Sequence, residues 1–564
     1  MSRSRSVAFT ARHARGLGGV TAALVVLAAT ACSTQATSAA ALVQADSTGQ
    51  VRATSQVSTG SQVSTGQASV TVQADVQAND QAIAQTSITW GPCPALAPGS
   101  TRNPKEKCGT VSVPLDYSDP AGKKITVEVS ELATAKPGKF RGYLLLNPGG
   151  PGLEGLDMPS SMAPTLPAPV LDEYDLIGFD PRGVGASTPM SCGLSEDLES
   201  AFPYPAADGS IAQNVADAKA VAADCAKIGD ELQYFTTANT ARDMDRIRIA
   251  LGAQKISYWG QSYGTYLGAV YTSLFPRETD RMILEGNVNP NAVWQQQMQL
   301  WNQGMNARFP DAAKIAAADN ATLGLGGTVA QVESTFIALA DSLDSKPAAI
   351  PGLAGVSLTG ALLRELTYEL LLHNTELTTL TQAWKAAADL SAGQPLTATD
   401  AAALQQAFAD GNSPGIANVP EDNQLTMTMA LVCGDASWST NVASYAAGTA
   451  AARARYPLSD GMPDDIWPCA FWSKAPIEPP VKVTSAGPRD VLILQNQRDN
   501  ATPYQGALGM VQALGDRAGF VSVDNGGHYV YGVGDSCADQ ATVAFLTAGT
   551  LPATTLACPA PQAS

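Results

Sequence analysis

The sequence has 564 residues, 45% of them hydrophobic and 15% charged, which is ordinary for a globular protein and unlike a disordered chain. The formal net charge is −17, and loss of a leader carrying four arginines would make it −21 (−17 − 4). We expect no nucleic-acid partner, because such binding depends on lysine and arginine contacts to phosphate. The net negative charge indicates a protein kept soluble by repulsion between its molecules.

The N-terminus has the pattern of an export signal. Four arginines precede an apolar run, Leu17 to Ala31, that ends at Cys32. A membrane-spanning helix needs about 20 apolar residues, so a cleaved signal over residues 1–31 is favoured. The tetrad that ends at Cys32 resembles the lipobox of bacterial lipoproteins, although Ala29 stands where Leu is commoner. We predict a lipoprotein acylated at Cys32, with ordinary cleavage near Ala31 or Ala39 and secretion as the alternative.

The cysteine count agrees with this interpretation. An exported protein with nine cysteines leaves one unpaired, and Cys32 is placed for a lipid. The remaining spacing suggests four local disulfides in an oxidising compartment. The suggested pairs are Cys93–Cys108, Cys192–Cys225, Cys433–Cys469 and Cys537–Cys558. A metal site is not expected, because the chain has no CxxC pair and only three histidines.

Residues 32–88 differ in composition from the rest of the chain. They are rich in Ser, Thr, Gln and Ala, and the hexapeptide SQVSTG occurs twice, at residues 55–60 and 61–66. Such a segment buries too little apolar surface to offset its ordering entropy. We predict a flexible tether between the membrane and a catalytic body.

From Trp90 onward the pattern is globular, with short strands alternating with helices. The predicted strands are 110–114, 125–132, 143–146, 176–179, 256–259, 282–284, 491–494 and 520–523. The predicted helices are 212–227, 240–251, 358–372, 377–390 and 540–548. Apolar strands alternating with helices predict an α/β fold, a mostly parallel sheet covered on both faces. We place its two parts at residues 89–290 and 488–564, with a mainly helical cap inserted at 291–487.

A nucleophile motif lies within the strand–turn–helix context that it requires. Gly260-Gln261-Ser262-Tyr263-Gly264 follows a predicted strand and opens a predicted helix. The two glycines permit a sharp turn that exposes the serine hydroxyl at a helix N-terminus. A bare motif of this kind also occurs as an ordinary turn, but this context indicates catalysis by Ser262.

A serine nucleophile needs a base, and few histidines can supply it. His13 is lost with the signal and His373 lies in the predicted cap, which leaves His528 after the last long strand. Asp499, which follows the strand at 491–494, is the predicted carboxylate that orients this imidazole. The order Ser, Asp, His is that of the α/β-hydrolases. Glu285, at the end of the preceding strand, is a rival acid.

The segment Asn147-Pro148-Gly149-Gly150-Pro151-Gly152 follows the third strand. Its glycines allow close backbone approach where an oxyanion would form. We assign the oxyanion hole to backbone N–H groups of Gly149 or Gly150 and of Tyr263. A phosphate-binding loop is the alternative, but no G-K-[ST] follows and no downstream helix start is evident.

From Trp90 to Cys558 the chain resembles the prolyl-iminopeptidase and tripeptidyl-aminopeptidase family, in its exported actinobacterial branch. The segments that carry the resemblance are Gly149–Gly152, Asp180–Ser187, Gly260–Gly264, Cys433–Asp435, Cys469–Trp472 and those around Asp499 and His528. The resemblance implies an α/β-hydrolase that cleaves peptides from a free N-terminus through an acyl-enzyme, beneath a cap that restricts entry. A substrate ammonium would require carboxylates, and Glu154, Glu285 and Asp435 are candidates by position only.

We therefore predict an exported serine exopeptidase that acts on peptides or small amides and uses no cofactor. An esterase or amidase with the same triad is the alternative, since fold and triad do not determine the acyl partner. A binding protein on a hydrolase scaffold is a third possibility, but it would carry a broken triad. The oligomeric state is not predicted.

Overall fold

The computed structural model describes residues 87–97, 100–195, 198, 203–353, 356–409, 415–534 and 536–560. The predicted signal, Cys32 and all but the last two residues of the predicted tether lie outside these ranges. Among the helices described, none combines the length and the apolar character needed to cross a bilayer.

The strands are longer than the sequence indicated. In chain order they are β1 (Lys107–Pro114), β2 (Lys124–Leu132), β3 (Gly142–Asn147), β4 (Tyr174–Phe179), β5 (Ile256–Gln261), β6 (Thr279–Glu285), β7 (Ala348–Ala349), β8 (Ser357–Leu358), β9 (Val491–Arg498), β10 (Ala518–Gly526) and β11 (Leu556–Cys558). In the described ranges, nine of them form one sheet in the order β1-β2-β4-β3-β5-β6-β9-β10-β11. The β1–β2 and β2–β4 pairs are antiparallel and all other neighbours are parallel. This is the predicted α/β-hydrolase sheet.

Both faces of the sheet are buried. Along β9, Val491 and Ile493 join one hydrophobic cluster, whereas Leu492 and Leu494 join a second cluster. Successive side chains of a strand point to opposite faces, so the two clusters are the two sides of the sheet. A strand buried on both faces must be apolar throughout, which is why these strands are continuous apolar runs rather than alternating ones.

Helices cover the two faces and fill the long connection between β6 and β9. They are α1 (Met158–Met162), α2 (Ala168–Glu173), α3 (Ala212–Cys225), α4 (Thr237–Ala250), α5 (Tyr263–Leu274), α6 (Gln295–Met298), α7 (Trp301–Ala318), α8 (Asn320–Leu323), α9 (Val329–Ser345), α10 (Gly360–Leu370), α11 (Leu377–Ser391), α12 (Ala398–Ala409), α13 (Asn423–Asp435), α14 (Val442–Arg455), α15 (Tyr504–Leu514) and α16 (Ser536–Ala548). The short helix α1, six residues beyond Gly152, was not anticipated from the sequence.

The connection between β6 and β9 is inserted into the sheet domain. We call its helical part, from the start of α6 to the end of α14, the helical insertion (residues 295–455). It also contains the two-stranded hairpin β7–β8, which the sequence did not indicate. Its helix α13 returns to the glycine loop after β3, where Thr428 Oγ1 donates to the carbonyl of Pro151 at 2.7 Å. The insertion therefore contacts the loop that follows β3.

Four disulfides connect neighbouring elements. They are the four pairs that the sequence predicts: Cys93–Cys108, Cys192–Cys225, Cys433–Cys469 and Cys537–Cys558. Disulfides persist in oxidising compartments and are rare in the cytosol, so these bridges indicate an exported protein.

Candidate active site

Ser262 occupies the turn between β5 and α5. Its backbone has φ 56° and ψ −126°, a conformation that residues other than glycine rarely adopt and that costs about 1–3 kcal/mol. A Cβ on Gly260 would lie 2.3 Å from the carbonyl oxygen of Gly264, and one on Gly264 would lie 2.7 Å from Asn147 Oδ1. Both glycines of the motif are thus required by close backbone approach, which explains their spacing around the serine.

The glycine loop after β3 lies directly against this turn. A Cβ on Gly149 would come within 2.3 Å of the carbonyl oxygen of Gln261 and 2.9 Å of Ser262 Cβ. The structure therefore brings the predicted oxyanion loop next to the predicted nucleophile. The N–H of Gly149, however, donates to Asn147 Oδ1 at 3.1 Å, so this group is already occupied by the protein. This bond argues against the N–H of Gly149 as an oxyanion donor, and the assignment to Gly150 stays a prediction.

The predicted base and acid lie in the loops that follow β10 and β9. His528 Nδ1 is 3.0 Å from Asp499 Oδ2 and 3.2 Å from Oδ1, and both side chains are buried. An ionised carboxylate only accepts hydrogen bonds, so Nδ1 carries the hydrogen in this pair and Nε2 is left as an acceptor. The imidazole is therefore oriented as a general base requires.

Thr502, three residues after Asp499, belongs to the same group of side chains and was missed in the sequence. Its hydroxyl donates to Asp499 Oδ2 at 2.8 Å and lies 3.3 Å from His528 Nδ1. The N–H groups of Ala501 and Thr502 donate to Asp499 Oδ1 at 2.8 and 2.9 Å. Aspartates in loops commonly close a turn on the backbone two residues further along, as Asp499 does with Ala501, but no local pattern identifies the threonine hydroxyl.

The charge state of His528 is set by opposing influences. Burial lowers the pKa of His528, but the charge and hydrogen bond of Asp499, together with the charge of Glu285, raise it, and the net pKa lies above the ordinary value. His373, from the helical insertion, stacks on Tyr529 with ring centroids 5.6 Å apart. Burial lowers the pKa of His373 to about 4, so this second imidazole is neutral at pH 7.

The end of β6 connects the two halves of the site. The N–H of Ser262 donates to the carbonyl oxygen of Glu285 at 2.9 Å. At the next residue, a Cβ on Gly286 would lie 3.1 Å from His528 Cε1. Ser262 and His528 are far apart in sequence, but both lie against the end of β6, at Glu285 and Gly286.

The three carboxylates predicted by position to bind a substrate amine are engaged within the protein. Glu285 is 1% exposed, and protein donors contact both of its oxygens. Asp435 accepts from Thr237 N and Oγ1 at 2.8 and 2.6 Å, and burial raises the pKa of Asp435 to about 6. Glu154 is half-buried, and its Oε2 accepts from the N–H of Ile416 at 3.0 Å. Burial and occupied oxygens argue against Glu285 and Asp435, whereas Glu154 stays a prediction.

Comparisons with known proteins agree with this geometry. Residues 458–558 match the family described as TAP-like protein. The chain is 33% identical over 494 residues to the tripeptidyl aminopeptidase of Streptomyces lividans, which covers 85% of this chain and 88% of that one. It is 30% identical over 496 residues to the serine protease Hip1 of Mycobacterium bovis, covering 84% and 91%. It is also 32% identical over 484 residues to a Mycobacterium tuberculosis protein named carboxylesterase B, covering 83% and 89%.

The match to these relatives runs along most of both chains, and the family match covers the segments that carry Asp499 and His528. The sheet order, the strained serine turn and the buried His–Asp pair are what a serine hydrolase of the α/β-hydrolase fold requires. The chain belongs to the TAP-like family of serine hydrolases.

Proposed function

We propose that this protein is an exported serine aminopeptidase that removes short peptides from a free N-terminus through an acyl-enzyme on Ser262. Support for the chemistry comes from the Asp499–His528 pair and the strained turn at Ser262. The observation that supports a free N-terminus is Glu369 of the helical insertion, whose Oε1 is buried without a hydrogen-bond partner among the described residues. The preceding residue, Tyr368, accepts a bond from Asn500, next to Asp499.

In this proposal His528 Nε2 takes the proton of the Ser262 hydroxyl as its oxygen attacks the peptide carbonyl. Asp499 holds the imidazole and stabilises the imidazolium that forms. His528 then gives the proton to the departing amine, leaving an ester on Ser262. Water, deprotonated by the same imidazole, hydrolyses that ester and restores the free hydroxyl.

The charge that develops on the carbonyl oxygen needs donors that are not already occupied. We assign them to the backbone N–H groups of Gly150 and Tyr263, because the N–H of Gly149 bonds to Asn147. Tyr263 is the first residue of α5, and the first N–H groups of a helix have no partner within it. Donors of this kind are typically worth about 3–4 kcal/mol of transition-state stabilisation each.

Helix α10 of the insertion presents two half-buried glutamates one turn apart, Glu365 and Glu369. Neither forms an ion pair with any described residue, and Glu369 Oε1 is buried without a hydrogen-bond partner there. The adjacent Arg364 is turned away, bonding to Asp344 at 2.9 Å and to Asp341 at 3.0 Å. The two glutamates therefore have no cation of their own within the described chain.

Glu369 lies near Asp499, because the carbonyl of the preceding Tyr368 accepts from Asn500 Nδ2 at 2.9 Å. Burial and then the charges of Glu369 and Asp499 raise the pKa of Tyr368, and burial followed by the charges of Glu285, Asp499 and Glu369 raises the pKa of Tyr529. Burial raises the pKa of Glu369 to about 8, so the charged form is costly without a partner. An α-ammonium group of a peptide supplies that partner, and it would place the following carbonyls toward Ser262.

The test compares free and N-acetylated tripeptide p-nitroanilides with wild type, Ser262→Ala and Glu369→Gln. Wild type is expected to cleave only the free peptide, and Ser262→Ala neither. Hydrogen bonds to charged groups contribute about 1.5–3 kcal/mol, so Glu369→Gln should raise KM for the free peptide by at least ~10-fold.

Glu333→Gln, on the neighbouring helix α9 of the insertion, is the matched control and should leave KM unchanged. Equal cleavage of the acetylated peptide by wild type would contradict the aminopeptidase assignment. An unchanged KM in Glu369→Gln, with the free-peptide preference intact, would contradict only the role of Glu369.

A second candidate function is hydrolysis of small esters, favoured by the relative named carboxylesterase B. The same triad would serve either reaction, because both pass through an acyl-enzyme on serine. Turnover of p-nitrophenyl acetate exceeding that of every free peptide anilide in kcat/KM would favour the esterase.

Membrane attachment is a separate part of the proposal. We place the lipid on Cys32, which lies outside the described residues, and the tether behind it would hold the enzyme away from the membrane. Mass spectrometry of the mature N-terminal peptide should show an acylated cysteine, and Cys32→Ser should release the enzyme into the medium. An unmodified N-terminus near Ala39 would contradict acylation and indicate ordinary secretion.

A further inference from the structure

Glu285, the last residue of β6, accepts an unusual number of hydrogen bonds. Its Oε2 accepts from Trp259 Nε1 at 2.8 Å and from Gln261 Nε2 at 2.9 Å. Its Oε1 accepts from the backbone N–H groups of Val530 and Tyr531 at 2.7 and 2.8 Å. The side chain is thus fully engaged at both oxygens while being 1% exposed.

These contacts lead to two different catalytic loops. Trp259 and Gln261 belong to β5, which ends just before the predicted nucleophile, whereas the other two donors lie two and three residues after His528. The backbone of Glu285 adds a third connection, because its carbonyl accepts from the N–H of Ser262 at 2.9 Å. We propose that Glu285 is a positioning residue that fixes His528 relative to Ser262 by bonding the strand before one and the segment after the other.

The inference rests on the proposed roles of Ser262 and His528, but it concerns a residue that does not touch the reacting atoms. Only an ionised carboxylate presents acceptors at both oxygens. A glutamine at this position would turn its NH2 group toward donors on one side, and those N–H groups would lose their acceptor. The loop after His528 or the strand before Ser262 would then have to shift.

Glu285 also acts on His528 through its charge. The groups that face the imidazole are Asp499 from the loop after β9, Glu285 from β6, His373 from the helical insertion and the adjacent Tyr529. Of these, the charges of Asp499 and Glu285 favour the imidazolium, while His373 is neutral at pH 7. Loss of the Glu285 charge should therefore lower the pKa of His528.

The experiment measures the pH dependence of fluorophosphonate labelling of Ser262 and of kcat and KM on a free tripeptide anilide, with Glu285→Gln and Glu285→Asp. A misplacement of about 1 Å far from the chemistry can cost ~100-fold, and we expect a fall of that size in kcat for Glu285→Gln with KM within ~3-fold. The acid limb of the pH profile of Glu285→Gln should move to lower pH. The reason is that the pKa of His528 falls in this variant and neutral His528 is the active form. Glu285→Asp should lower kcat without moving that limb.

Asp490→Asn is the matched control, since Asp490 is a buried carboxylate directly before β9 that bonds Arg517 at 2.8 Å, at the opposite end of that strand from Asp499. It should leave the acid limb in place and kcat within ~3-fold of wild type.

The inference is wrong if Glu285→Gln keeps both the wild-type labelling rate and the wild-type acid limb. If Glu285→Gln fails to fold, Glu285→Asp provides the test. A wild-type kcat in folded Glu285→Asp overturns the inference. Labelling of Ser262 does not depend on the peptide, so failure of the aminopeptidase assignment would be seen separately.

Discussion

At the scale of single residues, the orientation of Asp499 depends on neighbours that carry no charge. Its two oxygens face His528 almost equally, at 3.0 and 3.2 Å, so the imidazole alone does not hold the carboxylate in place. Two backbone N–H groups and the hydroxyl of Thr502, all from its own turn, also donate to it, and Gln495 Nε2 on β9 adds a longer bond at 3.2 Å. The acid is thus held mainly by its own turn.

Thr502→Val should test this arrangement, because it removes the hydroxyl and keeps the shape. The loss of a hydrogen bond to a charged group is worth about 1.5–3 kcal/mol, and we expect kcat to fall by at least ~10-fold with little change in KM. Steady-state kinetics on a free tripeptide anilide would measure it. Thr542→Val, at a buried threonine that bonds only within α16, is the control and should keep the wild-type kcat.

The raised pKa of His528 predicts the acid side of the pH profile. Only neutral His528 accepts the serine proton, so activity is lost as the pH falls through its pKa. Because that pKa lies above its ordinary value, the acid limb of kcat/KM should have its midpoint above ~6.5. The labelling rate of Ser262 across pH 5 to 9 would measure this midpoint. A midpoint at or below that value would show that burial outweighs the charges of Asp499 and Glu285 in setting the pKa of His528.

At the scale of elements, the helical insertion supports the loop that carries His528. The N–H of His528 donates to the carbonyl of Leu372 at 2.8 Å, in the turn between α10 and α11. Arg308, on α7, is 1% exposed and holds that turn through the carbonyl of Leu371 at 2.9 Å and Asn374 Oδ1 at 2.7 Å. Asn374 in turn donates to Asn525 Oδ1 at 3.1 Å, on β10. The insertion therefore forms part of the support of the base.

Arg308→Gln should disturb both stability and catalysis. Arg308 also pairs with Asp311 at 2.9 Å, and removing one partner of a buried ion pair typically costs about 3–5 kcal/mol. The lost group also positions the turn that binds His528. We expect the free energy of unfolding in urea to fall by that amount and kcat to fall by more than ~10-fold. Arg364→Gln removes another buried arginine of the insertion that pairs with aspartates but contacts neither catalytic loop. An equal loss of kcat in Arg364→Gln would show that the effect is general.

At the scale of the whole molecule, the disulfides connect segments at different places around the sheet. Cys433–Cys469 joins α13 to a segment 36 residues further along, whereas Cys93–Cys108 spans only 15 residues at the edge strand. Cross-links act largely by restricting the unfolded chain, and longer loops are restricted more. The contribution of each bridge should therefore follow its span.

Replacing both cysteines of a pair by serine measures this contribution. Loss of Cys433–Cys469 should lower the free energy of unfolding by about 2–4 kcal/mol, and loss of Cys93–Cys108 by less. Urea unfolding of the purified variants at one pH would compare them. The reverse order would indicate that native packing, rather than the unfolded chain, determines the effect.

The fold class, the main strands in chain order and the four disulfides could be predicted from the sequence, and so could the segments proposed to carry the catalytic residues Ser262, Asp499 and His528. Each prediction came from a local pattern: apolar runs of strand length, glycines around a sharp turn, or cysteine spacing. Local patterns survive folding because they arise from backbone sterics and from burial of neighbouring residues. The hairpin β7–β8 and strand β11 were missed because strands of two or three residues leave too short a pattern.

The side-chain contacts, in contrast, could be known only from the folded arrangement of the chain. It showed that Gly149 already donates to Asn147, that Glu285 and Asp435 are occupied by protein donors, and that Glu369 has an unpartnered oxygen. A carboxylate is equally plausible as a ligand, a salt bridge or a cap until its hydrogen-bond partners are known. Those partners come from residues that are distant in sequence, so no local pattern specifies them.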